Sequence, residues 1–482
     1  MRFQIWIVVA VTLAFAATGS ADDGKGVSLS KVERKNLAPV SHEPLTVHFP
    51  RATEVVLENG LTVLILEDHR IPTVDVTMRI RGAGALFDPK DRPGMAQIVA
   101  LLVGEGTTTQ TSGEWAAAVE KLGAVMGSNA PYGSPEAFHT ATGLSDNVDA
   151  WFPFFRDAVI HSTMPEDELK TFIPTQLAEL AQEMAQPEFM ARQQMMSALY
   201  GKHPAAITSS TVKSLKAITR GAIVDWYKTH YVPQNSVLAI AGDVSAETFL
   251  PKVRTWFADW KATDAKAELP TVAPAVAGPV LLVNRPGSVQ TTLMIANLAV
   301  DRRSPDFIPL NVMNRVIGAG PQSRLFLNLR EVHGYTYGVY SYLSAGTYTG
   351  FWQAQTDVRT PVTGGAMTEL MKEYQRIREE PVPTAELEEA KGSIVAGFAL
   401  SLEQPTEILA RAVDARTYGF AADYWDTYPA TIARVGATDV QAAARKYLDP
   451  KTLRVVAVGD AAAIKADLST FGKIKAVPAK AR

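Results

Sequence analysis

Arg330 and Tyr337 stand seven positions apart in the run SRLFLNLREVHGYTYGVYS, residues 323–341. Leu325, Phe326 and Leu329 recur at helical spacing, Gly334 supplies the left-handed residue that ends a helix, and aromatic residues then alternate as on a strand. A helix is therefore expected to pass directly into a strand. Arg330 falls in the last helical turn, and Tyr335, Tyr337 and Val339 share one face of the strand. A fixed guanidinium and a phenol, both hydrogen-bond donors, can then point into one space. The same residues also suit bland uses, because an arginine there meets the helix dipole favourably and strand tyrosines are ordinary half-buried residues.

Other chemistries find no footing. The chain has no cysteine, which excludes thiol nucleophiles, disulfides and iron–sulfur ligation. His42, His48, His69, His139, His161, His203, His230 and His333 include no pair spaced i,i+3 or i,i+4, so no helix presents two imidazoles to a metal. No serine sits in a G-x-S-x-G elbow, and the G-x-G of VIGAGPQS precedes a proline, which makes it a loop and not a phosphate cradle.

The run around Arg330 resembles the C-terminal half of the pitrilysin/insulinase family of zinc metallopeptidases, whose signature there is an Arg followed seven positions later by a Tyr. In that family the pair holds the substrate carbonyl oxygen and steadies the oxyanion of the tetrahedral intermediate, so the resemblance implies those roles for Arg330 and Tyr337. The family's zinc motif, His-x-x-Glu-His on a helix, falls on the segment Gly94–Thr107. Here Gln97 replaces the first His, Ala100 the Glu and Leu101 the second His. Glu179, in TQLAELAQEMAQPE, stands about where the family has its third ligand. The resemblance thus implies transition-state donors without a metal: no cofactor bound by this chain, and zinc in a partner subunit. It also implies substrate contacts at Asn129 and Ala130, on an edge strand that takes an extended peptide, and at the glycine-bearing turn of Gly318 and Gly320.

The elements that must carry these residues come from a duplication. YVPQNSVLAIAGD, ending at Asp243, parallels YLDPKTLRVVAVGD, ending at Asp460, a separation of 217 residues (460 − 243). VLILEDHRIPTVDVTMRI from Val63 parallels VLLVNRPGSVQTTLMIAN from Val280 at the same separation (280 − 63). That period is far above the ~20–50 residues of repeat arrays and indicates two homologous domains. The expected boundaries are 45–265 and 280–472, joined by a proline-rich linker at 266–279 and followed by a basic tail, 473–482, without fixed structure. Within each copy, two β segments (Val63–Leu66 and Thr73–Arg81; Val280–Val283 and Gln290–Leu298) precede helices, long helices follow, and an apolar strand ending in Gly-Asp closes the copy. This order predicts an α+β fold in which each domain is an antiparallel-rich mixed sheet covered by helices, as the resemblance also implies.

Composition and charge narrow the partners. With 47% hydrophobic residues, 20% charged residues and a net charge of −3, the chain reads as globular, and its scattered Lys and Arg give no nucleic-acid footprint. Met1–Ala21 has the grammar of a cleaved secretory signal, and no later stretch approaches the ~18 apolar residues of a membrane span. Export without cysteine suggests a bacterial periplasm. The leading expectation is the non-zinc, Arg/Tyr-donating subunit of a periplasmic heterodimeric metallopeptidase. Its partner would be a homologous chain with an intact His-x-x-Glu-His, and its substrate an unstructured oligopeptide. A catalytically inert peptide-binding module and a structural core subunit are the alternatives.

Overall fold

Six strands of the first half form one sheet: β1 (Thr53–Val56), β2 (Thr62–Glu67), β3 (Thr73–Arg81), β4 (Val125–Asn129), β5 (Glu136–Leu144) and β6 (Ser236–Gly242), in the spatial order β1-β2-β6-β3-β5-β4. A computed structural model describes residues 46–478 of the chain. The expected signal segment, Met1–Ala21, lies outside the described residues. The second half repeats the design with β7 (Val280–Asn284), β8 (Gln290–Leu298), β9 (Thr336–Ser344), β10 (Phe351–Arg359), β11 (Arg454–Gly459) and β12 (Ile474–Val477), in the order β12-β7-β11-β8-β10-β9. The pair β2/β6 is parallel, as is β7/β11, and the strands beyond them run antiparallel to the free edges β4 and β9. β3 and β8 keep the 217-residue offset (290 − 73) residue for residue.

Periodicity explains the layering. β3 alternates between buried and half-buried positions, whereas every residue of β11 is buried. A strand buried throughout has both faces covered. One face of each sheet is covered by helices of its own half. The other is covered by a helix from the opposite half. Helix Pro187–Tyr200 lays Met190, Met195, Met196 and Leu199 on Val283, Met294, Val456 and Val458 of the second sheet. Helix Pro405–Tyr418 lays Ile408, Leu409 and Val413 on the first sheet, where Leu64, Leu66, Ala239 and Ala241 join the same core. Each of these helices starts with a proline after Gln, at the one position where a missing N–H costs nothing.

Three expectations need correction. The tail expected to lack structure from Lys473 instead pairs through Ile474–Val477 with β7, in parallel, because Ile474 and Val477 are apolar enough to extend the sheet. β1 is an added edge strand before the first expected one. The linker has no helix or strand, yet it is packed: Leu269 and Val272 touch the core between the halves, and His203 Nε2 lies 3.1 Å from the Pro270 carbonyl.

The exchange predicts that neither half folds alone. Residues 46–265 by themselves should aggregate or bind a hydrophobic dye, because Leu64, Leu66, Ala239 and Ala241 lose their cover. Co-expressed with residues 266–478, they should return as a 1:1 complex with a single unfolding transition. A monodisperse 46–265 fragment that unfolds cooperatively would refute the dependence.

Candidate functional site

The segment bearing Arg330 is anchored on three sides. Leu325, Phe326 and Leu329 are buried in the second core. Arg324, almost wholly buried, makes a bidentate pair with Glu386 (2.7 and 2.9 Å). The Asn328 amide donates to Glu369 (3.0 Å) and Glu373 (2.8 Å) of the helix Thr363–Glu379. The expected helix is a short turn, Arg324–Phe326, that widens over Leu327–Val332, where His333 N–H reaches back five residues to the Asn328 carbonyl (3.1 Å). So few apolar positions do not distinguish a π-turn from an α-turn in sequence. Gly334, at φ +60°, ends it as expected.

The strand that follows does not place Tyr335, Tyr337 and Val339 on one face. Val339 faces Thr356 and Thr336 faces Val358, so three steps on β9 span two on β10. This β-bulge inserts one residue and breaks the alternation. Val339 is buried while Tyr337 is 87% exposed. The Arg330 guanidinium lies between two rings, 4.8 Å from the centre of Phe326 and 5.0 Å from that of Tyr337. Its ion-pair partner among the described residues is Glu331, at 3.4 Å. The two expected donors are thus together and turned outward.

The other expected site is split. Gln97, Ala100 and Leu101 lie on the helix Met95–Leu102, whose first turn is held by Asp88 accepting from Gly94 N–H (2.6 Å) and Ala96 N–H (2.8 Å). Burial pushes the Asp88 carboxyl up to about 7, against the downward pull of those backbone donors. Gln97, Asn129 and Glu179 line a cavity of about 700 Å³ between the halves, together with Glu183, Arg192 and Tyr348. Ala100 and Leu101 instead border a separate 180 Å³ cavity. Glu179 is exposed and accepts from Gln176 (2.6 Å). A zinc ion does not fit the motif positions: of these only the Glu179 carboxylate and the Gln97 amide face the larger cavity, and Ala100 and Leu101 offer no donor atoms. Among the described residues no three His, Asp or Glu side chains converge as metal ligands.

Ala130 is fully buried beside Asn129. A Cβ at Gly318 would come 2.4 Å from Ser341 Oγ, so that glycine lets the end of helix Phe307–Ile317 lie against β9. Gly320, at φ +140°, sits under the Arg315 guanidinium. Ser344, at the far end of β9, lines the 700 Å³ cavity. Seven residues of strand separate it from Tyr337, roughly 20 Å at about 3.3 Å per residue. The Arg/Tyr pair and the degenerate motif are therefore two places on this chain.

Residues 62–211 match the family described as Insulinase (Peptidase family M16), and residues 217–394 match the Peptidase M16 inactive domain. The chain belongs to the M16 peptidase family. A Mycobacterium leprae protein named an uncharacterized zinc protease is 24% identical over 74% of this chain and 80% of its own. A Bacillus subtilis protein with the same description is 21% identical over 73% and 85%. The crystal structure of a peptidase M16 inactive domain from Pseudomonas fluorescens superposes with a TM-score of 0.78 at 25% identity, over 85% of this chain and 98% of that one. A protease from Helicobacter pylori shares the fold at TM-score 0.78 and 17% identity, over 86% of this chain and all of its own. The two mixed sheets covered by helices are thus the M16 fold, as the element order predicts.

Sequence reasoning missed one buried group beside the M16 motif helix. His139 is 1% exposed and borders the 180 Å³ cavity with Ala100 and Leu101. Its Nδ1 lies 2.8 Å from Ser128 Oγ, and its Nε2 has no partner among the described residues. The alternation of β5, which puts His139 in phase with buried Ala137 and Ala141, was the available signal. Burial pushes its pKa down to about 3. The folded chain holds it neutral, whereas the unfolded imidazole titrates near 6.5, so this contribution to stability is complete above pH 6.5 and is lost as pH falls toward 3. Between pH 6.5 and 4.5, His139→Asn should lose stability less steeply than wild type, by up to about 1.4 kcal/mol per pH unit. Equal slopes in thermal melts would assign the acid sensitivity elsewhere.

Proposed function

We propose that this chain is the non-catalytic subunit of a two-chain M16 peptidase, lending Arg330 and Tyr337 to a zinc site on a second chain of the same fold. The observation that carries the reading is the separation of the two places. The donors face outward at an open sheet edge, roughly 20 Å along β9 from Ser344, where the strand reaches the cavity that Gln97 and Glu179 line. Donors turned away from their own motif suit use across an interface. Exposed Leu327, Val332, Tyr337, Tyr340 and Tyr342 lie on the same turn and strand, an apolar surface suited to a partner. In the assembled enzyme the guanidinium would hold the carbonyl of an extended oligopeptide, and the phenol would donate to the same oxygen as its charge develops. The metal chemistry belongs to the partner. Export to a bacterial periplasm, from the apolar first residues, is part of the same proposal.

A second reading, capture of peptides without cleavage, is favoured by the 700 Å³ cavity, with carboxylates from Glu179 and Glu183 and the Arg192 guanidinium on its walls. Kinetics on a complex with a zinc-bearing M16 chain separate the two. Tyr337→Phe should leave assembly and zinc content unchanged while lowering kcat ~10²–10³-fold with little change in KM. Arg330→Ala should lower kcat and raise KM. A Tyr337→Phe complex with wild-type kcat would remove the donor role.

A further inference from the structure

The exposure of Tyr337 has an identifiable cause in two threonines on neighbouring strands. Thr336 Oγ1 lies 2.7 Å from the Asp357 carbonyl and 3.1 Å from the Gly338 N–H. Thr356 Oγ1 lies 2.9 Å from Thr336 Oγ1 and 3.0 Å from the Gly338 carbonyl. Two hydroxyls therefore satisfy the N–H and C=O of Gly338, the groups that the register shift takes out of the ladder. A bulge whose polar groups are met this way is a fixed feature, because a half-buried N–H or C=O left unpaired costs free energy. Beneath it, Thr292 Oγ1 donates to Asp357 Oδ1 (2.5 Å), tying the β10 side to β8.

The stack on Arg330 does not by itself explain the geometry. An exposed cation–π contact contributes only about 0.5–1 kcal/mol, and it forms only after the backbone has delivered the ring. With regular pairing, Tyr337 would share the inward face of Val339 and Ser341, both buried. The bulge decides which way the phenol points.

We infer that Thr336 and Thr356 are positioning residues for the Arg330/Tyr337 pair: their hydroxyls hold the β9 bulge that turns Tyr337 out of the sheet and over the guanidinium. The functional weight of this device rests on the proposed donor role, while the device itself is testable without it. Protein carrying 3-fluorotyrosine gives a ¹⁹F resonance for Tyr337, identified by its loss in Tyr337→Phe. In wild type that line should be single and show the full H2O/D2O shift of an exposed ring. In the Thr336→Val/Thr356→Val double variant it should broaden or split and lose more than half of that shift, and Thr336→Ser should restore the wild-type line. If the double variant does not fold, Thr336→Val and Thr356→Val alone should each move the resonance in the same direction. An unchanged sharp line in folded valine variants overturns the inference. In complex with the zinc-bearing chain, the double variant should lower kcat at least 10-fold at constant KM and assembly. A moved resonance with unchanged kcat would sink the donor role and leave the positioning intact, whereas an unmoved resonance would sink the positioning alone.

Discussion

Each sheet of this chain presents two apolar faces and carries helices of its own half on only one. Leaving β2, β6, β8 and β11 open on the other would expose Leu64, Leu66, Met294, Val456 and Val458, each worth about 1.5–3 kcal/mol when buried. The reciprocal loan of helices Pro187–Tyr200 and Pro405–Tyr418 closes both faces at once. It also fixes the halves against each other, since each supplies part of the other's core. The cavity between the halves, with Gln97 and Glu179 on one wall and Tyr348 on another, is a by-product of that arrangement.

Exchange covers faces and leaves edges. β4 and β9 each pair on one side only, and open edges invite another strand or chain. Folded proteins often blunt such edges with bulges, and β9 has one. Here the bulge does more than discourage pairing: it takes an aromatic residue out of the core alternation and sets it against Arg330. The backbone turn before it is held by the pair of buried Arg324 with half-buried Glu386 and by Asn328, so both side chains spring from anchored main chain.

The degenerate motif shows the opposite balance. The helix Met95–Leu102 retains its architecture, with Asp88 at its start and Ala96, Ile98, Val99 and Ala100 buried. Replacing ionisable ligands by Gln, Ala and Leu is compatible with that packing, because Ala100 and Leu101 border a small cavity beside a neutral imidazole. The fold persists where residues 97, 100 and 101 offer no imidazole or carboxylate. Retention of architecture at one place and the outward Arg330/Tyr337 pair at the other are what the proposed division of labour between two chains rests on.

Much of this was legible in residue order. The 217-residue offset marked the two halves, β-rich apolar runs marked β3 and β8, and Gly334 marked the end of the turn before β9, because these signals can be read from residue order alone. That positions 97, 100 and 101 carry an amide and two apolar side chains needed only the sequence, and reading them as a zinc motif needed the family resemblance. Tertiary structure decided the rest. Nothing local says that helix Pro405–Tyr418 lies on the other half's sheet, that Ile474–Val477 extends a sheet whose nearest strand begins at Val280, or that His139 is sealed from water. Those outcomes depend on apolar surface contributed by segments far away in the chain. The direction of Tyr337 was misread for the same reason: alternation holds along one strand, but an extra residue is defined only by the partner it is counted against, and β10 is not visible from β9 alone.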